Sequence, residues 1–535
     1  MKYLYTIILT LLFIKSAQSQ IQQENTDSTA IAQIKEEGLN HSQVMEFLSS
    51  LTDVYGPRLA GSPGYIEAAK WAQKKLESMG LSDAHLEAWG AFGRGWQLKG
   101  YSATVIGRQI FPLISYPRAW TPPLDEATAE IIYFDAGTDS AIQTFKGKLR
   151  GKFVLFDEPR EIKPPLQAFA EREADSTLLK LANADLQRPR GRRFGGNPGD
   201  FRTRALVEFR KMELCSKEGA LAVLFSSRGD GGNIFVQGIS LPQHPDSARG
   251  SQVPVYSTKC PKTLPQISVG AEHYNRLVRM IQKGEKPKLE LQLECEYTKA
   301  DSGYNIIAEI PGTDLKDEIV MIGGHFDSWH GGTGAADNAT GSSVAMEAMR
   351  IIKTLNLKPR RTIRIGLWDG EEQGFLGSRG YISKHFAERE AGASGRGGTI
   401  HYKPEGEKFS VYFNDDNGAG KFRGIYLQGN EACRTIFRTW LKPFNDLGAA
   451  TITPLSTGGT DHQAFDGVGL PGFQFIQDEL DYSTRIHHAI MDVYDRCPPD
   501  DLKQAATIMA AFAYNAAMRD EKIPRKPLPV PPMTR

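Results

Sequence analysis

Imidazoles and carboxylates gather at five places in this chain: His325 with Asp327, then Asp337, the pair Glu371-Glu372, the pair Asp415-Asp416, and the pair His487-His488. Hard carboxylates mixed with imidazole, with no thiolate among them, suit zinc or a similar divalent ion in a catalytic site rather than a structural one. Two ions about 3.5 Å apart need one bridging carboxylate, two terminal ligands each and a shared water. The inventory fits that count. Taken singly, each group has a plainer reading. His325 could be a satisfied polar histidine, Glu371-Glu372 a solvated turn, and Asp337-Asn338-Ala339-Thr340 a helix cap that also matches a glycosylation acceptor. Their joint arrangement tips the balance towards a site.

The elements that must position these groups can be read from hydrophobic patterning. Ile319 to Ile322 is a short apolar run that leads into the glycine-rich stretch Gly323 to Gly341, and Val344, Ala348, Ile351 and Leu355 then recur at helical spacing. Arg361 to Trp368 reads as a strand ending in Asp369-Gly370-Glu371-Glu372. Phe409 to Phe413 leads to Asn414-Asp415-Asp416, and Gly472 to Ile476 leads towards His487-His488. Strands alternating with helices predict an α/β fold, a doubly wound mixed sheet with helices on both faces, and strand ends are where such sheets build sites. Upstream, Ser42 to Leu51 reads as a helix, and Ser62 with Pro63 opens another that Gly80 stops. Residues 20 to 37 read as polar and loosely ordered, and Leu81 to Pro123 as aromatic and short-stranded. From Ala129 to Glu296 short β runs dominate, and Leu289, Leu291, Leu293, Cys295 and Tyr297 alternate as in a half-buried strand. A last helix starts near Asp500, and the tail from Ile523 is proline-rich.

Composition excludes some partners. Lys+Arg 64 against Asp+Glu 63 gives no global electrostatic case for nucleic acid or an anionic membrane. The basic run Arg188 to Arg193 lacks interleaved aromatics and reads as a solvated loop. Lys2, the apolar run Leu4 to Ile14 and Ala17-Gln18-Ser19 have the plan of a secretory signal peptide, too short for a membrane span, so the chain is expected to be exported, periplasmic or extracellular. The five scattered cysteines show neither a zinc knuckle nor a disulfide framework.

The ordered motifs His325-Phe-Asp327-Ser-Trp329, Ala336-Asp337-Asn338-Ala-Thr-Gly341, Glu371-Glu372-Gln-Gly374, Asn414-x-Asp416, Thr460-Asp-His462 and His487-His488 resemble the co-catalytic zinc exopeptidase family, that of the secreted leucyl-type aminopeptidases and plasma glutamate carboxypeptidase. The resemblance implies a signal peptide at 1–19, a discontinuous peptidase domain at 38–127 and 298–520, an inserted β-rich unit at 128–297 like the protease-associated domain, and a tail at 521–535. It implies two zinc ions and a peptide or dipeptide substrate and leaves a homodimer open, while the charge balance and the short N-terminal apolar run argue for no nucleic acid partner and no membrane after signal cleavage. Carried onto this chain, His325 and Asp416 are ligands of one zinc, Glu372 and His488 of the other, Asp337 the bridging carboxylate and Glu371 the general base. Asp327 matches the acid that hydrogen-bonds the first histidine. His462 and His487 match a supporting or substrate-facing position. Ala489 departs from the family's usual Thr or Ser. Trp329 leans towards the plasma glutamate carboxypeptidase branch. Two other classes compete: a glutaminyl cyclase-like transferase, which keeps a single zinc, and a receptor-type binding module without catalysis.

Overall fold

The structure is a computed structural model that describes residues 24–186, 198–248, 250–390 and 398–527. The expected signal peptide, the basic run 188–193 and the end of the tail lie outside the described residues.

Eight strands form the sheet that positions the site. They are β1 (Ser82–Gly90), β2 (Gly303–Ile310), β3 (Leu315–His325), β4 (Arg361–Trp368), β5 (Phe409–Asn414), β6 (Phe422–Tyr426), β7 (Thr451–Thr453) and β8 (Gly472–Gln477). Their spatial order is β1-β2-β4-β3-β5-β8-β6-β7. The centre, β4-β3-β5-β8, is parallel, and antiparallel pairs flank it at β1/β2, β2/β4 and β8/β6. Parallel strands covered on both faces should be apolar throughout. Val320, Met321 and Ile322 in β3 and Val411, Tyr412 and Phe413 in β5 are accordingly all buried. One face packs on α1 (Ser28–Asn40), α2 (Val44–Ser49), α3 (Pro63–Ser78), α4 (Thr340–Thr354) and α6 (Pro499–Met518). The other face packs on α5 (Leu376–His385) and the short helix His462–Asp466. Each fully buried large aliphatic side chain in these layers contributes about 1.5–3 kcal/mol. The expected doubly wound, mixed α/β architecture is the one observed.

Several local expectations need correction. The segment expected to be loosely ordered holds α1, because the Asp27 carboxylate accepts from Thr29 and Ala30 N–H at 3.0 Å each and Ile31 and Ile34 are buried. An abundance of polar residues hid a narrow apolar stripe. Helix α4 is not one-faced: every residue from Thr340 to Ile352 is buried, since α6, rich in alanine, lies across its outer side. The charged pair on its polar face, Glu347 and Arg350, is buried with it at 2.7 Å. The stretch from Leu81 is short-stranded only in its second half, where Phe111–Pro112 and Ser115–Pro117 run 2 and 3 residues, for Ser82–Gly90 and Gly93–Ile106 run 9 and 14. Their solvent-facing polar residues interrupt the apolar signal.

A second eight-stranded sheet runs in the order Phe111–Pro112, Gly93–Ile106, Lys288–Ala300, Leu124–Tyr133, Phe153–Leu155, Ala222–Ser226, Gln266–Val269, Ser115–Pro117. It draws in strands from Gly93 to Pro117, so its start lies upstream of residue 128. In Lys288–Ala300 the alternation holds for Leu289, Leu291 and Leu293, which are buried, while Cys295 and Tyr297 are half-buried. All five cysteines are free.

Candidate metal centre

Strand β3 ends at His325, and the chain then crosses the tops of the parallel strands before entering α4. Two glycines make that path possible. A Cβ at Gly341 would lie 2.1 Å from the Asp415 carbonyl oxygen, and Gly334 turns the chain at a φ of +62°. Between them, the Asp337–Asn338 peptide is cis. Asn338 is fully buried, donates to the Asp415 carbonyl at 2.7 Å and accepts from Gly341 N–H at 2.9 Å. Those bonds and that burial take it out of reach of a glycosylating enzyme in the folded chain, so the acceptor match carries no function.

The arrangement of the first histidine follows from its hydrogen bonds. His325 Nδ1 lies 2.9 Å from the Asp327 carbonyl oxygen. A carbonyl can only accept, so Nδ1 carries a proton and Nε2 is the nitrogen left for a metal, which would displace any proton held there. That Nε2 is buried with no hydrogen-bond partner, 3.3 Å from Asp337 Oδ1 and 3.4 Å from Asp416 Oδ1. Three potential ligand atoms therefore converge on one point. The Asp327 carboxylate was expected to hold His325. It lies 3.6 Å from Nδ1 and instead accepts the backbone N–H of Glu371 at 3.0 Å and of Glu372 at 3.4 Å. It thus fixes the turn after β4, and its carbonyl does the work on the imidazole.

On the other side of Asp337, Oδ2 lies 3.3 Å from His488 Nε2 and 3.9 Å from His487 Nε2. His488 Nε2 is also 3.0 Å from Glu372 Oε2. His488 thus bridges Asp337 and Glu372, while His487 stands farther back with its ring against Tyr482. Of the adjacent aspartates, Asp416 faces His325, whereas Asp415 is sealed in with neither carboxylate oxygen bonded. His462 is not brought to this group. It is buried beside Gln428 at 3.0 Å and Thr457 O at 3.2 Å, and burial lowers its pKa to about 4.

The centre's electrostatics call for cations. Burial raises Glu372 well above the usual carboxylate range, with Asp337 adding to the effect. Burial does the same to Glu371, His325 opposing and Asp416 reinforcing. For His325 burial disfavours the charged form, yet the surrounding Asp416, Glu371, Asp327 and Asp337 outweigh it and raise the ring well above its ordinary value. An orphaned imidazole nitrogen, an orphaned Glu372 Oε1 and crowded buried acids are a donor set that fits a divalent metal.

Several supporting residues lay outside the sequence reading. Asp492 accepts the backbone N–H of Ala336 at 2.7 Å and of Asp337 at 3.1 Å, clamping the loop. Trp329 Nε1 donates to Glu372 Oε2 at 2.6 Å. Arg58, fully buried, ties the loop to the link between α2 and α3. From the second sheet's side, the segment around Ile234 to Gln237 runs beside the last histidines: Val236 N–H donates to His488 O at 2.9 Å, and the Gln237 amide lies 2.8 Å from His488 Nδ1. The atom that faces Nδ1 is the amide nitrogen, whereas a metal on Nε2 needs Nδ1 to donate, so ligation requires the amide to turn its oxygen to the ring. Arg58 and Asp492 lie some 270 and 155 residues from the loop they hold, so local spacing offers no signal for them; for Trp329, its place four residues after His325 was the available cue.

Comparison with known proteins agrees with this geometry. Residues 305–513 match the sequence profile of Peptidase family M28. Carboxypeptidase Q of Mus musculus is 25% identical over 499 residues, covering 93% of this chain and 90% of that protein. Among solved structures, a peptidase M28 precursor from Shewanella amazonensis aligns with a TM-score of 0.65 at 24% identity, over 94% of this chain and 99% of its own. A zinc aminopeptidase from Bacillus subtilis aligns at 0.53 and 18%, over 89% and 95%. At those identities the structures speak to the fold, while the family match spans the strand ends on which His325, Asp337, Glu371, Glu372, Asp416 and His488 sit. Residues 305–513 thus carry the profile of Peptidase family M28, and the chain is an enzyme of the co-catalytic zinc exopeptidase kind, a metallo-exopeptidase.

Proposed function

We propose that this chain is an exported exopeptidase that hydrolyses the terminal bond of peptides or dipeptides at a two-zinc centre. One observation carries the two-ion reading: the two oxygens of Asp337 face different imidazoles, Oδ1 towards His325 and Oδ2 towards His488, each at 3.3 Å. A carboxylate so turned is suited to bridge. His325 and Asp416 would hold one ion with it, and Glu372 and His488 the other. When bound, zinc polarises the scissile carbonyl and brings the pKa of water towards about 7.

The chain's own residues do the rest. Glu371, next to a ligand but not itself one, takes the proton of the attacking water on its carboxylate and returns it to the leaving amine. The Asp327 carboxylate holds the N–H groups of Glu371 and Glu372, which keeps base and ligand in fixed relation. Trp329, bonded to Glu372, orients that carboxylate. The unit built on the second sheet serves as more than an appendage in this reading, because Val236 and Gln237 lie against His488. Export rests on the N-terminal sequence pattern; among the described residues no helix is long and apolar enough to cross a membrane.

The test is digestion of a peptide library with the termini alternately blocked. Release of single amino acids from one terminus, abolished by blocking that terminus, is the expected result. Internal cleavage insensitive to both blocks would contradict it.

A further inference from the structure

The loop that brings His488 to the centre runs from Asp478 to Asp492, and two of its residues hold side chains in the left-handed backbone region, Leu480 at a φ of +51° and His488 at +62°. L-residues rarely adopt that region, so a loop with two of them needs outside contacts to fix it. From the peptidase side, Ile486 is buried in the core and Arg496 reaches Asp481 at 3.4 Å. Further contacts come from the unit built on the second sheet, through a strap at residues 169–173 that lies along the loop. The backbones of Glu171 and Leu480 exchange hydrogen bonds at 2.9 and 3.2 Å, an antiparallel bridge made to the left-handed residue itself. Thr484 Oγ1 donates to Phe169 O at 2.6 Å, and the Arg485 guanidinium stacks 3.6 Å from the centroid of the Phe169 ring. Asp478, fully buried, accepts from Arg172 Nη1 and Arg423 Nη1 at 2.8 Å each and from Glu173 N–H at 3.0 Å. Arg172 also pairs with Asp501 at 2.8 Å. Just downstream, the helix Asp175–Ala182 packs on the edge strand β7, with Leu178 buried, which anchors the strap's far end.

We propose that Phe169 and Arg172 are positioning residues for His488: the strap they anchor fixes the loop in the conformation that turns the His488 ring towards Asp337 and Glu372. This rests on the two-ion reading above and deepens it, because it makes the unit built on the second sheet a working part of the metal centre. Only one of the two ions depends on the strap. His325 ends β3 and Asp416 follows β5, so the paired central strands set both of them. His488 has no strand behind it and meets Glu372 at 3.0 Å from its loop. Loosening the strap therefore weakens the ion of Glu372 and His488 and spares that of His325 and Asp416. Arg172 is itself exposed, but the two acids it joins are buried, and they have little water to turn to when the guanidinium is lost.

The experiment measures both zinc affinities, by competition with a chelating dye, in the wild type, the double variant Phe169→Ala/Arg172→Ala, Arg172→Lys and the control Leu166→Ala, which alters the same excursion at a residue 93% exposed. The double variant is expected to keep one ion at wild-type affinity and to bind the other about tenfold or more weakly, the size of loss usual behind a metal ligand. Arg172→Lys should fall between, since an ammonium reaches one acid without spanning both. The control should match the wild type. A merely structural role predicts instead that both affinities fall together with the urea midpoint. That result, or two unchanged affinities, overturns the proposal. Amide hydrogen exchange of the metal-free chain separates its failure from failure of the two-ion reading. His487 and Ala489 N–H donate within the loop, to Tyr482 O and Ile486 O at 2.8 Å each, and neither bonds to the strap. Both should exchange about tenfold faster in the double variant, with β3 and β5 unchanged. Faster exchange there in a chain that binds one zinc or none supports the strap's role and counts against the two-ion centre; unaltered exchange overturns the strap's role whatever the zinc count. Should the double variant fail to fold, Phe169→Ala alone decides on the same readouts, because it leaves both ion pairs of Arg172 in place.

Discussion

Replacing Glu371 by Gln is expected to leave the metal content unchanged and to lower kcat by about 10²–10⁴-fold, or about 3–5 kcal/mol of transition-state stabilisation. Gln has the same shape, and the backbone N–H that anchors residue 371 to Asp327 remains. What is lost is the acceptor for a proton. Glu371 is buried beside Asp416 and Glu372, which raises its proton affinity well above that of an ordinary glutamate. Such a group is suited both to take a proton from water and to hand it on to an amine. KM should change little if the side chain acts only in the transition state. A variant with normal turnover and full metal would remove Glu371 from the base role. One with lost metal would make it a ligand.

Arg58→Leu should destabilise the folded chain by about 3–5 kcal/mol, a large effect for a residue that reaches no proposed ligand directly. Its Nε donates to Phe326 O at 2.8 Å, Nη1 to Leu51 O at 2.8 Å and Thr333 O at 2.9 Å, and Nη2 to Gly334 O at 2.9 Å. Leucine would leave four carbonyls without that donor in a buried setting, each worth about 1–3 kcal/mol when unsatisfied, offset by whatever water or relaxation supplies. Arg58→Lys should recover only part, since one ammonium cannot span the same fork. Urea denaturation of the metal-free chain measures this cleanly, and a loss below about 1 kcal/mol would show that the loop is held by other contacts. Because Phe326, Thr333 and Gly334 belong to the loop between His325 and Asp337, weakened zinc retention is expected in the same variants.

The sheet's centre was legible because parallel strands buried on both faces leave unbroken apolar runs, as at Ile319–Ile322 and Phe409–Phe413. The strands at the far end of the sheet, Phe422–Tyr426 and the edge strand Thr451–Thr453, are short, and the first carries Arg423 and Gly424 within it, so patterning passed over them. Helix α1 was missed for the opposite reason, a polar sequence whose two isoleucines suffice once Asp27 caps it. The candidate ligands could be found because each follows a strand and carries a distinctive side chain. Their supports could not, because Arg58, Asp492 and Gln237 look like ordinary surface residues until the chain folds. Asp327 shows the limit from another side: its type and position pointed to the centre, but which of its oxygens meets His325 depends on backbone geometry. The pairing of His488 with Glu372 likewise needed coordinates to separate it from His487.

Counting zinc per folded chain is the most direct test of the two-ion centre, by native mass spectrometry after dialysis against a weak chelator. The account predicts two ions in the wild type, with both weakened in Asp337→Ala, because that carboxylate faces both imidazoles. A wild-type chain that saturates at one ion, or an Asp337→Ala variant that still holds two, would contradict it.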